Sequence, residues 1–337
     1  MKGQNFKKLK SVISNFNDKK ILVIGDLILD EFIWGKVSRI SPEAPVPIVW
    51  AQSESFMPGG ASNVANNINS LGGKAYMVGV VGNDDRAGIL KGELERRGVN
   101  VDGIFSDAQR PTILKTRVIA HQQQVVRIDR EKTEPVSDRI LRKLTDYIEN
   151  IIDSMDALIV EDYGKGLITP KLLDKIVPLA KRKKKIIAVD PKEEHFSFYK
   201  GVTLLTPNNA EASRAVGFEI KDKATLKRAG SELLKKLKAR IVLITLGEDG
   251  MMLFDDGKPA RKIETIAQEV FDVSGAGDTV ISSYTLSLIS GASTIQAAHI
   301  ANCAAGIVVG KVGIAVVTQD EVIMRIKEEI EKPRERT

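Results

Sequence analysis

Short apolar runs alternate with amphipathic segments along almost the whole of this 337-residue chain. The apolar runs predict buried strands at 21–24, 75–81, 157–160, 186–189, 203–205 and 241–245. Segments with helical spacing lie between or after them and predict helices at 61–71, 86–97, 137–154, 170–182, 223–238 and 320–331. Strands and helices that alternate in this way form parallel βαβ units. We therefore predict an α/β fold with a central, mostly parallel sheet and helices on both faces.

Two segments, at about 31–50 and about 104–130, break this alternation. The first carries apolar residues among three prolines, and much of the second alternates polar and apolar residues. Such alternation is typical of strands, and no linker-like or repetitive stretch separates these segments from the rest. We interpret them as inserts that form a small β lid on a single domain spanning residues 1–337.

Composition narrows the functional class. The chain has 50 Lys and Arg residues against 44 Asp and Glu residues, and its densest basic run, at 181–185, contains no aromatic residue. This run predicts a solvated helix end, so we expect no nucleic-acid partner. No apolar run is long enough to cross a membrane. The single cysteine, Cys303, is interpreted as a small core residue of a cytoplasmic protein, and the three histidines lack zinc-ligand spacing.

Polar residues follow several of the predicted strands. In an open parallel sheet, ligands bind beyond the carboxyl ends of the strands. The five polar ends are Gly25-Asp26, Glu161-Asp162-Tyr163, Asp190-Pro191-Lys192, Thr206-Pro207-Asn208 and Thr245-Leu246-Gly247. Their repeated placement predicts a ligand site along that edge of the sheet.

The segment 272–279 reads DVSGAGDT and precedes an apolar run that predicts a buried helix. The free backbone N–H groups and the dipole of a helix N-terminus favour an anion. A carboxylate opposes an anion there, so Asp278 is either a helix cap or a base placed beside a phosphoryl group. The segment alone does not decide between the two.

A second glycine-rich segment, at 58–63, also leads into a predicted helix. Gly59, Gly60 and Asn63 fit a ligand-binding turn or an ordinary turn with an Asn cap. Asp26 and Asp30 fit acceptors for sugar hydroxyl groups or turn residues.

Two later segments likewise have two interpretations. Asn208 and Glu211 fit a site that holds Mg²⁺ through water or a helix capping box. Residues 247–250 fit a nucleotide pocket or a hairpin turn. The chain has no Walker A loop, so a nucleotide has to be held in another way.

Taken together, these motifs resemble the ribokinase (PfkB-type) family of carbohydrate kinases. The resemblance rests on Gly59-Gly60 with Asn63, Ala65 and Leu71-Gly72, followed far downstream by the 272–279 segment. It runs from about residue 21 to residue 317 and implies a ribokinase-like fold.

Within that family, a narrower resemblance is to the heptose-7-phosphate kinase branch. It rests on GDLILD at 25–30, Trp34-Gly35 and SRISPEAPVP at 38–47, with further matches at 115–117, 122–124, 127–129 and 162–166. The branch uses ATP to phosphorylate the anomeric hydroxyl of D-glycero-β-D-manno-heptose 7-phosphate, on the way to ADP-heptose, a lipopolysaccharide precursor. Many members carry a C-terminal nucleotidyltransferase. This chain resembles the stand-alone kinase, which implies a separate adenylyltransferase.

The resemblance also implies roles for individual residues. Asp278 is the base, and the anion hole is formed by Gly275, Ala276 and Gly277. The substrate-binding residues are Asp26, Asp30, Gly59, Gly60 and Asn63, with Lys115, Arg117, Lys165 and Lys192 as candidates for the 7-phosphate. The ATP-binding residues are Asn208, Glu211, Thr245, Gly247, Gly250 and Asn302, with Glu211 holding Mg²⁺ through water. A monovalent cation such as K⁺ is assigned to Asp272 and Ser274.

The lid is implied to close over the sugar phosphate and to pair with a second subunit in a homodimer. Two alternatives stay open. One is a kinase of the same family for another sugar or sugar phosphate, such as fructose 1-phosphate or ribose. The other is a non-catalytic protein that senses a sugar or a nucleotide. Release of ADP in the presence of a panel of sugars separates the three.

Overall fold

The computed structural model describes residues 2–121, 123–266, 270–311, 313 and 315–331. Its strands are β1 (Lys20–Gly25), β2 (Leu27–Ile40), β3 (Pro47–Gly60), β4 (Lys74–Val81), β5 (Asn100–Ser106), β6 (Ile113–Ala120), β7 (Gln123–Arg130), β8 (Ala157–Glu161), β9 (Ile186–Asp190), β10 (Leu204–Leu205), β11 (Ile241–Thr245), β12 (Met251–Asp255) and β13 (Arg261–Ile263). Its α-helices are α1 (Lys2–Ser14), α2 (Ala61–Ser70), α3 (Asp85–Arg96), α4 (Asp138–Ile151), α5 (Pro170–Arg182), α6 (Asn209–Val216), α7 (Lys223–Leu237), α8 (Ala276–Ile289), α9 (Thr294–Val308) and α10 (Gln319–Glu331).

The described strands form two sheets. The larger has the order β13-β12-β11-β10-β9-β8-β1-β4-β5, and its pairs from β11 through β5 are parallel. β12 and β13 extend it as antiparallel strands. This arrangement confirms the predicted α/β class with a mostly parallel central sheet.

Both faces of the larger sheet are covered by helices. In β1, Ile21 and Val23 join an apolar cluster with residues of α1, α2, α8, α9 and α10. Leu22 and Ile24 point the other way and join a second cluster with residues of α4, α5 and α7. Because successive strand residues face opposite sides, a strand covered on both faces has to be continuously apolar. This coverage on both faces explains the uninterrupted apolar runs in the sequence.

The smaller sheet is the lid, with the order β3-β2-β6-β7. Its strands differ from the predicted inserts at the end of the first insert and at the start of the second. The lid includes all of β3 up to Gly60, where the chain enters α2 directly. Residues 104–106 belong instead to β5, which pairs in parallel with β4 at the edge of the larger sheet. The second part of the lid therefore begins at Ile113, with β6. Gln122 lies outside the described residues.

The register of the lid decides which side chains face the sheet edge. β2 pairs in parallel with β6, so Asp30 lies opposite Lys115. Arg117, two residues further along β6, is on the same face and forms an ion pair with Asp30. Glu31 and Thr116 alternate to the other face, where their side chains are hydrogen-bonded to each other.

None of the helices in the described part of the chain is both long enough and apolar enough to cross a bilayer.

Candidate active site

Asp278 lies in the first turn of α8, but it does not cap that helix. The N-cap residue is Gly275, at φ 77°, and no side chain in the described part of the chain caps the N-terminus. Instead, the Asp278 carboxylate accepts a hydrogen bond of 2.6 Å from Asn63 Nδ2 and one of 3.3 Å from the Tyr163 hydroxyl. These partners come from α2 and from the loop after β8, so three separate elements fix the carboxylate.

The surroundings of Asp278 favour a group that gives and takes protons near neutral pH. Burial raises the pKa of this carboxyl to about 6, while the hydrogen bonds from Asn63 and Tyr163 act in the opposite direction and Asp30 raises it further. Burial and the neighbouring Asp278 raise the pKa of Tyr163 well above its usual value, so its hydroxyl stays protonated and donates. A pKa close to the working pH suits a general base.

The backbone in front of Asp278 presents donors to the same region. Helix geometry leaves the first N–H groups of α8 without intrahelical partners. The N–H of Ala276 donates to the Val273 carbonyl at 3.2 Å, and that of Thr279 donates to Gly275 at 3.1 Å. Gly277 and Asp278 lie between them in the first turn. Gly275, Ala276 and Gly277 are the predicted anion hole. Of these three, Ala276 already donates its amide hydrogen to a backbone carbonyl.

Two pockets meet at the N-terminus of α8. One, of about 210 Å³, is lined by Ile28, Asp30, Gly59, Gly60, Asn63, Lys115, Arg117, Tyr163, Ser274, Gly275 and Asp278. The other, of about 410 Å³, is lined on its near side by Ala276 and Gly277. The turn that carries Asp278 thus separates a small polar pocket from a larger one.

The larger pocket contains four of the residues predicted to bind ATP, namely Thr245, Gly247, Gly250 and Asn302. Its wall is largely apolar and includes Val270, Val273, Val280, Ala305 and Val309. Asn302 donates from Nδ2 to the Glu264 carbonyl at 2.7 Å, which fixes the segment after β13 against α9. An apolar slot with few polar groups suits the flat base of a nucleotide.

The smaller pocket is polar, and its side chains are tightly packed. A Cβ on Gly59 would collide with the Asp30 carboxylate, so the glycine leaves room for that side chain in the pocket. Asp30 is in turn paired with Arg117. The Lys115 ammonium lies 5.7 Å from the centre of the Tyr163 ring, and burial lowers the pKa of Lys115. Both cations line the pocket, although only Arg117 has an ion-pair partner identified among the described residues.

Asp26, Lys165 and Lys192 are not among the lining residues of that pocket, and their assignment to the substrate stays a prediction. The Asp26 carboxylate is buried and accepts hydrogen bonds from the N–H groups of Tyr163, Lys165 and Leu167. It therefore shapes the loop that presents Tyr163. The ammonium of Lys165 is 2.6 Å from Glu131, and that of Lys192 is 3.7 Å from Glu194.

Buried acids lie beside Asp278 at the ends of β8 and β9. Oxygen atoms of Glu161, Asp190 and Asp278 lie within 4.8 Å of one another, and Oε2 of Glu161 is buried with no hydrogen-bond partner among the described residues. Burial, followed by the nearby Glu211, raises the pKa of Asp190 to about 8. Burial and the charges of Asp190 and Asp278 raise the pKa of Glu161 well above its usual value. Clustered carboxylates with an unsatisfied oxygen are a donor set that fits Mg²⁺.

Asn208 and Glu211 form a capping box at the start of α6, as the simpler interpretation predicted. The Glu211 N–H donates to Asn208 Oδ1 and the Asn208 N–H donates to Glu211 Oε2, each at 2.9 Å. The capping box does not exclude a role for Glu211 near Mg²⁺. Burial and nearby charge raise the pKa of Glu211. The charge of Glu211 in turn raises the pKa of Asp190, so the two carboxyl groups lie close enough to interact. The assignment of Glu211 to Mg²⁺ stays a prediction.

The proposed monovalent-cation residues form a local turn. Asp272 Oδ1 accepts a hydrogen bond of 2.8 Å from the Ser274 N–H, and Ser274 also lines the smaller pocket. A turn of this kind accounts for both residues, so the cation stays a prediction.

Sequence reasoning assigned no role to Tyr163, Glu161 or Asp190, although all three stand at predicted strand ends. Strand-end position marked them as neighbours of a ligand. It could not show which would lie beside Asp278, because the three residues are 88 to 117 positions away from it in the chain.

The hydrogen bond from Tyr163 leads to a prediction about pH dependence. If Asp278 takes up the proton, kcat/KM falls about tenfold per pH unit below about pH 6, where the carboxylate becomes protonated. A donor to the charged form lowers a pKa, so Tyr163→Phe should move this acid limb from about pH 6 toward about pH 7. The measurement is a pH–rate profile of both proteins.

Tyr76→Phe is the matched control for that experiment, because Tyr76 lies in β4 and does not line either pocket. Its profile should overlay that of the wild-type chain. If the Tyr163→Phe profile also overlays it, Tyr163 does not tune the group that limits the rate.

Comparison with known proteins places the chain in a family. Residues 18–320 match the pfkB family carbohydrate kinase. The bifunctional protein HldE of Desulfatibacillum aliphaticivorans is 46% identical over 317 residues, and that of Helicobacter hepaticus is 45% identical over 307 residues. These alignments cover 94% and 91% of this chain. The chain spans 65% and 64% of the length of the two relatives.

Solved structures show the same fold at lower identity. Phosphofructokinase-2 of Escherichia coli, in complex with substrates and products, has a TM-score of 0.76 at 20% identity, over 94% of this chain and 100% of that one. Ribokinase of Arabidopsis thaliana, complexed with ribose and ATP, has a TM-score of 0.73 at 20% identity, over 92% and 99% of the two chains.

The chain therefore has the ribokinase-like α/β fold of these solved structures. The chain belongs to the pfkB family of carbohydrate kinases.

Proposed function

We propose that this chain transfers the γ-phosphoryl group of ATP to the anomeric hydroxyl of D-glycero-β-D-manno-heptose 7-phosphate. The observation that carries phosphoryl transfer is the position of Asp278, where a small polar pocket meets a larger, mostly apolar one. A base at that junction can reach a sugar hydroxyl on one side while a nucleotide occupies the other. The choice of heptose rests on the resemblance of the segments at 25–30 and 38–47.

In the proposed reaction, Asp278 accepts the proton of the anomeric hydroxyl as that oxygen bonds to the γ-phosphorus. The bond from phosphorus to the β,γ-bridging oxygen breaks, and ADP leaves. The hydrogen bonds from Asn63 and Tyr163 aim the carboxylate during this step. The free N–H groups in the first turn of α8, with the helix dipole, stabilise the negative charge of the transferring group. Positioning and electrostatics supply most of what phosphoryl transfer requires.

Mg²⁺ is the cation that the donor set beside the pockets fits. Asp190 and Glu161 would hold it, with Glu211 acting through water. When bound, the ion supplies positive charge against the phosphates of ATP. A cation among these acids would also favour their ionised forms, opposing the burial that now raises their pKa values.

The lid supplies the cations of the sugar pocket. Lys115 and Arg117 lie on the face of β6 that lines it, and a phosphate dianion needs such partners. Asp30 already neutralises much of the charge of Arg117. We therefore assign the 7-phosphate principally to Lys115. Closure of the lid would exclude water from the transfer.

The outer part of the lid supports a homodimer. Trp34, Ile40 and Trp50 are exposed on β2 and β3, as are Val126 and Ile128 on β7. Apolar side chains concentrated on one sheet are typical of an interface between subunits. We propose that two lids pair, as the sequence resemblance implies.

Replacement of Trp50 by Glu tests this assembly. We expect light scattering to give twice the chain mass of 36.9 kDa for the wild-type protein and the single mass for Trp50→Glu. Met324→Glu introduces the same charge at an exposed position on α10 and should remain dimeric. A wild-type protein of single mass at working concentration would contradict the dimer.

A substrate panel tests the proposed reaction. Purified protein with ATP and Mg²⁺ is given each anomer of heptose 7-phosphate, unphosphorylated heptose, fructose 1-phosphate and ribose, and ADP release is measured. We expect rapid release with the β anomer of heptose 7-phosphate alone. Rapid release with another sugar would overturn the heptose assignment and keep the kinase, whereas no release with any sugar would favour a sensor.

A further inference from the structure

Three side chains with metal-binding atoms converge where α9 packs against α10. His299 and Cys303 are four residues apart on α9 and share one face of that helix, while Glu329 lies near the end of α10. The ligand atoms of the three lie within 4.8 Å of one another. None of them lines the sugar pocket or the nucleotide pocket, so the kinase site does not account for the cluster.

The spacing of the three ligand atoms is close to that of a tetrahedral zinc site. Cys303 Sγ is 4.0 Å from His299 Nε2 and 3.9 Å from Glu329 Oε2, and these last two atoms are 3.2 Å apart. Bonds of about 2.3 Å to sulfur and about 2.1 Å to nitrogen or oxygen give separations of about 3.6 Å and about 3.4 Å at a tetrahedral angle. Small side-chain rotations would close the difference.

The cluster has a closed side and an open side. Cys303 is fully buried, whereas the side chains of His299 and Glu329 are 27% and 37% exposed. Those two residues line a cavity of about 420 Å³ that also contains Leu9, Lys262, Ile263, Glu264, Ile295 and Gln296. An ion can therefore enter from this cavity, and a water from it can complete the coordination.

We propose that His299, Cys303 and Glu329 bind one Zn²⁺-class ion that ties α9 to α10. The mixed sulfur, nitrogen and oxygen set suits a borderline-soft metal and not Mg²⁺ or Ca²⁺, which take oxygen ligands. The thiol proton leaves when the metal binds, so the ligand is the thiolate. α9 also carries Asn302, so the ion steadies a helix that lines the nucleotide pocket.

The competing interpretation is a purely structural cluster. In it, the Cys303 thiol donates to Glu329 and Glu329 pairs with His299. Burial and the charge of Glu329 raise the pKa of Cys303 well above its usual value, which agrees with a neutral thiol when no metal is bound. The two interpretations differ in whether a metal can displace that proton.

Cobalt titration of the full chain tests the site, because Co²⁺ bound to a thiolate has a near-ultraviolet charge-transfer band. Cys303 is the chain's only cysteine, so that band can arise only there. We expect a band that saturates at one Co²⁺ per chain and disappears on addition of Zn²⁺. It should be absent in Cys303→Ser, and His299→Gln and Glu329→Gln should each weaken Co²⁺ binding by at least about tenfold.

His195→Gln is the matched control, because His195 contacts Asp162 in another part of the molecule and should leave the titration unchanged. Far-ultraviolet circular dichroism checks that each variant is folded, and the partly exposed positions 299 and 329 keep the test valid if Cys303→Ser unfolds. Zn²⁺ should also raise the unfolding temperature of the wild-type chain but not of Glu329→Gln. A folded wild-type chain without the band, or a band indifferent to His299→Gln and Glu329→Gln, overturns the proposal.

Discussion

Replacing Asp278 by Asn is expected to lower kcat by about 10³-fold, because the variant cannot accept a proton from the sugar hydroxyl. Asn has nearly the same shape, and neither pocket loses a wall. ATP affinity, measured by calorimetry without sugar, should therefore change little. The fold should not suffer either. Burial raises the folded-state pKa of Asp278 above its unfolded value, so the ionised form lowers stability at pH values above about 6.

The neutral Asn removes that penalty, and we expect the variant to unfold at the same or a higher temperature at pH 8. Loss of activity without loss of stability is the combined signature of a base. Asp256→Asn is the control, because Asp256 is an exposed acid in the turn after β12 and lines neither of the two pockets. Full activity of Asp278→Asn would refute its role, whereas an unstable protein would show that Asp278 is structural.

Replacing Lys115 by Met is expected to lower kcat/KM for heptose 7-phosphate by about tenfold to 100-fold. The estimate is the loss of one hydrogen bond to a charged group, worth about 1.5–3 kcal/mol. Met keeps the apolar part of the Lys115 side chain and loses only the ammonium, which is also the group that lies over the Tyr163 ring. Unphosphorylated heptose is expected to react only slowly, but it has no phosphate to lose, so the same substitution should leave its low kcat/KM nearly unchanged. The difference between the two sugars is the informative quantity.

Lys36→Met is the control for that comparison. It removes the same charge from an exposed lid position on β2 and should affect neither sugar. Arg117→Ala is a poorer test, since it leaves the buried Asp30 without its ion-pair partner and risks unfolding the pocket. Equal losses with both sugars in Lys115→Met would mean that Lys115 shapes the pocket and does not contact the phosphate.

The main sheet could be predicted from sequence because its strands are covered on both faces. A strand such as β8 is apolar up to its last residue, Glu161, and that pattern is local. The second half of β3 could not be predicted, because residues 51–56 are mostly polar and exposed. These residues are extended because β2 pairs with them along the lid. Their conformation therefore depends on a partner strand and not on their own sequence pattern. β5 was missed for a related reason, since it lies at the sheet edge and is only partly buried.

The candidate site was predictable to different degrees. The motif at 272–279 and the strand ends located its parts, since each depends on neighbouring residues. Asp278 contacts Asn63, 215 positions away, instead of capping its helix, and no local pattern carries that contact. The surroundings of Asp26 were hidden for the same reason. Its three amide partners lie 137 to 141 positions downstream, and its assignment to the sugar stays a prediction.

The register of the lid has a consequence for how such a protein diversifies. Lys115 and Arg117 reach the smaller pocket only because they occupy alternate positions of β6, and one inserted residue before them would turn both to the other side of the sheet. We therefore expect selection to remove insertions and deletions near the base of the lid. The connection between β2 and β3, at 41–46, carries no such constraint. Lineages with a new sugar preference should differ by substitutions at the base and by length only at the rim.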